Sequence, residues 1–238
     1  MEPTLENKVV MVTGGTRGIG RAIVEAVLEE GARVALCGRS RESVDKATDE
    51  LRALASSERC RGYVADVSSP TDVTAFFQSV DKDFNGPDVL VNNAGIGIFR
   101  SVADLSVEEW RRTIDTNLSG AFYCCHEALA RFRKKGGGYI VNISSLAGTN
   151  AFAGGAAYNA SKFGLNGFTE AAMLDHRYDN VRTSYIMPGS VSTEFGSGGG
   201  ADWKIAPEDV ADLVVMLLKM PERTLVSRVE VRPSKPRK

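Results

Sequence analysis

No stretch of this chain approaches the roughly 20 consecutive apolar residues that a membrane-crossing helix needs, so nothing in the sequence asks for a bilayer. Charge of one sign is missing as well. Against 29 basic residues stand 30 acidic ones, a formal net charge of −1, which removes the electrostatic case for nucleic acid or a membrane surface as partner. Cysteine and histidine are scarce. Cys37, Cys60, Cys124 and Cys125 show no Cys-x-x-Cys spacing, and His126 and His176 stand at no metal-ligand spacing from them, so no metal site is expected. Both histidines read as helix-surface residues. Adjacent cysteines such as Cys124 and Cys125 rarely have disulfide geometry, and buried, reduced thiols in a cytoplasmic protein are the better expectation. Met1 to Lys8 carries acidic residues and no long apolar run, unlike a secretory leader.

What is present is an ordinary globular composition, 43% hydrophobic and 25% charged over 238 residues, enough for a core without covalent staples. Short apolar runs alternate with longer amphipathic ones. Strands are expected at Lys8 to Thr13, Ala32 to Cys37, Gly62 to Ala65, Asp88 to Asn92, Tyr139 to Ile143, Val181 to Ile186 and Arg228 to Val231. Helices are expected at Gly18 to Glu30; at Arg41 to Ser56, with Val44, Ala47, Leu51 and Leu54 inward; and from Ser69-Pro70 to about Phe84. Another starts at a capping box, Ser106 to Glu109, and runs with room for a break through Asn117 to Lys135, where three glycines stop it. The last two are expected at Ala156 to Arg177 and Pro207 to Lys219. This alternation implies crossover units, a parallel sheet and helices on both faces. No interdomain linker or repeat interrupts it, so residues 1–238 read as one domain, with a short substrate loop at about 194–206. The glycine run Gly196 to Gly200 lies inside that loop, and a basic tail, Arg232 to Lys238, ends the chain.

Between the first strand and the first helix lies Thr13-Gly14-Gly15-Thr16-Arg17-Gly18-Ile19-Gly20. Glycines there allow a tight turn and close backbone approach, and the helix N-terminus offers N–H donors to a pyrophosphate. Gly14, Thr16, Arg17, Gly18, Ile19 and Gly20 are therefore candidate cofactor contacts. The spacing is Gly-x-x-x-Gly-x-Gly, and no Gly-Lys-Ser/Thr follows, which weakens a kinase or ATPase reading. After the second strand an NAD site wants a carboxylate for the ribose 2′-OH. This chain has Gly38 and then Arg39, a pairing that suits a 2′-phosphate, with Arg17 within the same reach. NADP (NADPH) is the expected cofactor. Asp66 and Val67 are candidates for the adenine edge, and Asn93, Ala94 and Gly95 for a close approach to a flat ring or ribose.

Tyr158 and Lys162 stand at an i, i+4 spacing that places both on one helix face. A lysine beside a phenol is expected to lower the phenol's pKa toward working pH, making Tyr158 a proton donor and acceptor. Ser145 is placed to polarise a carbonyl, with Ser144 as its neighbouring alternative. Phe99, Leu146, Ala151, Phe152, Phe195 and Trp203 are candidate substrate-lining residues.

Taken together, Thr-Gly-x-x-x-Gly-x-Gly, Asn92-Asn93-Ala94-Gly95, Asn117, Ser145, Tyr158-x-x-x-Lys162 and Pro188 to Thr193 resemble the short-chain dehydrogenase/reductase family over nearly the whole chain. The resemblance implies a single-domain, doubly wound α/β Rossmann fold with a seven-stranded parallel sheet in the order 3-2-1-4-5-6-7. It implies Tyr158 as general acid, Lys162 on the nicotinamide ribose, Ser145 on the substrate oxygen and Asn117 in a water and proton relay to the lysine. Pro188, Gly189, Val191 and Thr193 would pack on the nicotinamide carboxamide. The similarity extends to 3-oxoacyl-[acyl-carrier-protein] reductases and to small carbonyl or hydroxy-acid reductases, the chain's C-terminus being more like the latter. The expected substrate is a small carbonyl compound or alcohol. A homodimer or homotetramer pairing two long helices is implied, with Phe163, Phe168 and Met173 compatible with that contact. An NAD-linked alcohol dehydrogenase of the same fold and a non-catalytic NADP sensor are the competing readings.

Overall fold

The first strand, β1 (Val9–Thr13), is apolar and fully buried, as a strand covered on both faces must be. Its side chains alternate between two cores. Val10 and Val12 join the cluster built with Ile23, Val27, Val210 and Val214, whereas Val9 and Met11 join the one built with Phe76, Phe77, Val80 and Phe132. In a computed structural model that describes residues 5–56, 58–195 and 201–236, this alternation repeats along a seven-stranded parallel sheet. The strands are β1, β2 (Arg33–Gly38), β3 (Cys60–Val64), β4 (Val89–Asn92), β5 (Gly138–Ile143), β6 (Val181–Pro188) and β7 (Arg228–Val231), in the order β3-β2-β1-β4-β5-β6-β7. The expected fold class and strand order are those observed.

The helices are α1 (Gly18–Glu29), α2 (Arg41–Leu51), α3 (Pro70–Phe84), α4 (Val107–Ile114), α5 (Gly120–Lys135), α6 (Ala156–His176) and α7 (Pro207–Lys219). Their starts follow the sequence signals. Ser69 caps α3 with Pro70 as its first residue, and Ser106 and Glu109 form the reciprocal capping box of α4. Gly136, at φ 84°, ends α5 in the left-handed conformation that glycine adopts without strain.

Two expectations give way. The second helix stops at Leu51, not Ser56, and Leu54 is exposed. Beyond Leu51 the chain tightens: the Leu54 and Ala55 N–H groups both donate to the Leu51 carbonyl, at 2.9 and 3.0 Å. Ala55, rather than Leu54, is thereby turned into the core. The break between α4 and α5 is a π-helical turn, Asp115–Ser119, that holds Asn117. The glycine run at 196–200 lies outside the described residues, as do Arg237 and Lys238 of the basic tail. No helix among the described residues is long and apolar enough to cross a membrane.

Phe132 fills the joint between α5 and β5 and is fully buried. A side chain at Gly138 would run into its ring. Phe132→Ala should cost about 3–5 kcal/mol through lost burial and a residual cavity, read from the urea midpoint. A loss below about 1 kcal/mol would show that this joint does not carry the core.

Candidate active site

The sheet order reverses between β1 and β4, so the loops leaving their carboxyl ends diverge and open a crevice. Thr13 and Asn93 clamp its floor. The Thr13 hydroxyl accepts from the Asn93 and Ala94 backbone N–H groups at 3.0 and 3.1 Å. The Asn93 amide donates to the Thr13 and Gly14 carbonyls at 3.0 and 3.1 Å. Gly14, at φ +64°, sits so close that a Cβ would lie 2.9 Å from Ala94 Cα. A side chain at Gly20 would strike the Gly14 carbonyl and the Asn93 amide. These glycines let the start of α1 lie directly on the sheet edge.

A cleft of about 1310 Å³ runs over that edge, larger than a drug-sized pocket requires. Its described lining includes Gly14, Thr16, Arg17, Gly18 and Ile19 from the glycine loop, Gly38 and Arg39 after β2, and Val67 after β3. Asn93, Ala94 and Gly95 line it after β4, Ser145 after β5, Tyr158 and Lys162 on α6, and Pro188, Gly189, Val191 and Thr193 after β6. Most of the sequence candidates therefore share one cavity. Gly20 supports the loop from beneath. Asp66 turns aside: its carboxylate accepts from the Ser68 N–H and hydroxyl at 2.9 and 2.7 Å, closing a turn at the head of α3. Leu146, Phe99, Phe152, Phe195 and Trp203 line the cleft, and Ala151 does not.

Both serines border the cleft, and they differ in what their hydroxyls do. Ser144 is buried and donates to the Asn166 side-chain oxygen at 2.5 Å. Ser145 faces the cleft, where its oxygen accepts from the Ala147 N–H at 3.1 Å. Its hydroxyl stands near enough to Tyr158 to pull the phenol's pKa down, as a donor to the phenol oxygen does.

Lys162 is buried, and its ammonium donates to the Ile143 carbonyl at 2.9 Å while standing 5.8 Å from the centre of the Tyr158 ring. Burial lowers its pKa from 10.5 to about 8. For Tyr158 the expected lowering by lysine is not the outcome. Burial raises the phenol, and the counteracting influence is the Ser145 hydrogen bond. The ammonium is spent on a backbone carbonyl instead of the phenol. Asn117 uses its side chain within the protein frame. Its side chain accepts from the Ile96 N–H at 2.8 Å and donates to the Ile96 carbonyl at 2.9 Å and the Ser161 hydroxyl at 3.1 Å, so it fastens the loop after β4 to α6. Cys37 also lines the cleft, but burial pushes its thiol up to about 12, which removes it as a nucleophile at neutral pH. His126 is exposed, and His176 pairs with Asp179 at 3.0 Å, both far along their helices from the cleft residues.

Sequence reasoning missed Asn159 and Asn166. Asn159 donates to the Ala147 carbonyl at 2.7 Å and Asn166 to the Gly148 carbonyl at 3.0 Å. Both are buried on α6, together with Lys162 and Thr169. The signal was legible: polar residues at 159, 162, 166 and 169 recur with helical spacing on one face, a face that the covered sheet makes an inner one.

The chain matches the family model described as short chain dehydrogenase over residues 8–201. It is 37% identical over 190 residues to a 3alpha-hydroxysteroid dehydrogenase of Mediterraneibacter gnavus, covering 80% of this chain and 76% of that protein. Two solved structures are similar throughout. An alcohol dehydrogenase from the archaeon Thermococcus sibiricus, complexed with 5-hydroxy-NADP, has a TM-score of 0.89 at 28% identity, covering 97% of this chain and 98% of that one. A metagenomic short-chain oxidoreductase in complex with NADP has a TM-score of 0.86 at 34% identity, covering 98% of this chain and 100% of that one.

The buried ammonium has a measurable signature. Between pH 8 and 10.5 the unfolded chain keeps the Lys162 proton that the folded chain releases, so this group makes stability rise with pH across that window. Below it, folding carries the cost of burying the charge. The stability of Lys162→Met minus that of the native chain should therefore fall by on the order of 3 kcal/mol from pH 8 to 10.5. A difference flat in pH would mean that the ammonium is not buried as described.

Proposed function

This chain belongs to the short-chain dehydrogenase family, and from that premise we propose that it is an NADP(H)-dependent oxidoreductase interconverting a carbonyl and its alcohol, with Tyr158 as proton donor. The observation that carries this reading is the convergence of Ser145, Tyr158 and the buried Lys162 ammonium in the one cleft that the glycine loop borders. When bound, the cofactor supplies the hydride. The chain's own work is to orient and to move a proton. Ser145, its oxygen anchored by Ala147, gives its hydrogen to the substrate oxygen and holds it beside the phenol. Tyr158 delivers a proton to that oxygen as negative charge builds there. Lys162, held on the Ile143 carbonyl in the same cleft, would bind the hydroxyls of the nicotinamide ribose. We assign Asn117 a supporting part, keeping the Ile96 segment and α6 in register around these groups.

The residues fit a dinucleotide carrying a 2′-phosphate. A side chain at Gly38 would stand 2.7 Å from Thr16 Cγ2, which disfavours the carboxylate that an NAD site uses there. Arg39 is exposed at the lip and has no ion-pair partner among the described residues. Arg17 pairs with Glu194 at 3.2 Å with both side chains exposed, a contact weak enough to yield to a phosphate. The NADP-type ligands of the two similar structures support the same choice, and the missing acid weighs against the NAD-linked alternative. Gly14, Thr16, Gly18 and Ile19 would bind the pyrophosphate, on a loop that Gly20 lets settle against the sheet edge. Val67 would border the adenine, while Asn93, Ala94, Gly95, Pro188, Gly189, Val191 and Thr193 would frame the nicotinamide half. Asp66 would act from a distance, by closing the turn that presents Val67. A pure sensor would need neither Ser145 beside Tyr158 nor the costly Lys162 burial. The 3-oxoacyl-thioester reductase expectation remains as one arm of a substrate screen.

We also propose pairing of two chains through α5 and α6. Exposed Phe122 and Phe163 lie on these helices, and Phe122 packs edge-on against Phe168 at 6.1 Å. A cytoplasmic setting is supported by four buried, free cysteines.

Tyr158→Phe should lower carbonyl reduction by at least about 100-fold while NADPH still binds, as read by nucleotide fluorescence. Near-native turnover in this variant would remove the mechanism. Arg39→Ala should weaken NADPH about tenfold through a lost charge-assisted hydrogen bond and leave NADH unchanged. An equal loss for both nucleotides would take Arg39 out of the 2′-phosphate site.

A further inference from the structure

Four aromatic rings from four separate segments meet around the reacting group. Phe99 follows β4, Phe152 precedes α6, Tyr158 opens α6 and Phe195 follows β6, and all four line the cleft. Phe99 stands 5.6 Å from the Tyr158 ring and 5.8 Å from Phe152, and Phe195 stands 5.8 Å from Tyr158, centre to centre. None of the three phenylalanines is spent on the core: they are 39%, 46% and 43% exposed. Glycines leave the room they fill. A side chain at Gly97 would strike Phe195 at 2.7 Å and Phe99 at 2.8 Å, and one at Gly155 would strike Phe152 at 2.7 Å. Apolar faces left uncovered but tightly seated are what a binding site shows, since each ring offers a large area at little cost in mobility.

The charges around this seat are already occupied. Among the described lining residues, Arg17 lies in the glycine loop, where it would turn from Glu194 to the cofactor's own phosphate, and Arg232 pairs with Glu230. Lys162 is turned to the Ile143 carbonyl. Arg39 follows β2, away from the ring cluster. A substrate carboxylate or phosphate would enter this seat without a dedicated partner, a costly burial.

We propose that the substrate is an uncharged, ring-bearing ketone or the matching secondary alcohol, whose alicyclic or fused-ring body lies among Phe99, Phe152 and Phe195 while its carbonyl points to Ser145 and Tyr158. The proposal rests on the carbonyl–alcohol reading above and makes the three phenylalanines the specificity-determining residues.

The experiment measures NADPH oxidation by the full chain with three ketones: trans-1-decalone, the open-chain 2-decanone of equal carbon count, and the anion 3-oxobutanoate. Decalone should exceed 2-decanone by about tenfold and 3-oxobutanoate by more than about 100-fold in kcat/KM. Phe152→Ala and Phe195→Ala should raise the decalone KM about tenfold with a far smaller change in kcat, and Phe152→Tyr should restore it. NADPH binding by each variant checks that it has folded. A preference for 3-oxobutanoate or 2-decanone, dependent on Tyr158, would overturn the ring class and leave the carbonyl reductase standing. Alanine variants that change the association state but not the decalone KM would assign the rings to a chain–chain contact instead, and overturn it as well. Failure of every carbonyl tried, 3-oxoacyl thioesters and aldehydes included, would bring down the underlying function and this proposal with it.

Discussion

A charged ammonium buried against a single backbone carbonyl is the constraint around which this site is organised. Removing Lys162 from water costs free energy that one hydrogen bond to Ile143 does not fully return, and its lowered pKa is the expression of that deficit. The position is tolerable because its neighbours on α6 are equally committed. Asn159 holds Ala147, Asn166 holds both Ser144 and Gly148, and Thr169 accepts from Asn142 of β5. One helix face thus grips the end of β5 and the segment after it at Ile143, Ser144, Ala147 and Gly148. Ser145 is left projecting into the cleft. The hydroxyl is positioned by the immobilisation of everything around it, the support that precise active-site geometry calls for.

The opposite wall is built on the same logic from different residues. Thr13 and Asn93 lock the ends of β1 and β4 together, and Asn117 locks the loop after β4 to α6 through Ile96 and Ser161. Asn117 can do this because the helix bearing it takes one π turn between α4 and α5. Such turns insert a residue and re-aim the side chains around them, and they recur at functional sites. The polar groups of the cleft floor are therefore bonded to one another, leaving the glycine loop, Ser145, Tyr158 and the aromatic seat to face a ligand.

Most of the sheet was legible because its strands are continuous apolar runs between glycine-rich or capped turns, and a buried parallel sheet permits little else. The site was legible to the extent that its chemistry sits in compact motifs, as with the glycine loop and the Tyr158–Lys162 pair. What escaped has a common cause: local pattern does not encode who satisfies whom. Ala55 replaces Leu54 in the core through one tightened turn. Asp66 caps a turn rather than facing the cleft, and the Lys162 charge goes to a carbonyl that lies 19 residues upstream. The phenol's pKa was misjudged for the same reason, since helical spacing shows proximity but not burial.

The most direct measurement is a crystal structure of the chain with NADPH bound. The account predicts the nicotinamide end against Tyr158, Lys162 and the Pro188–Gly189 segment, the 2′-phosphate at Arg39, and the Tyr158 hydroxyl still within hydrogen-bond reach of Ser145. A dinucleotide lying the other way round, or a Tyr158 side chain turned out of the cleft away from Ser145, would contradict it.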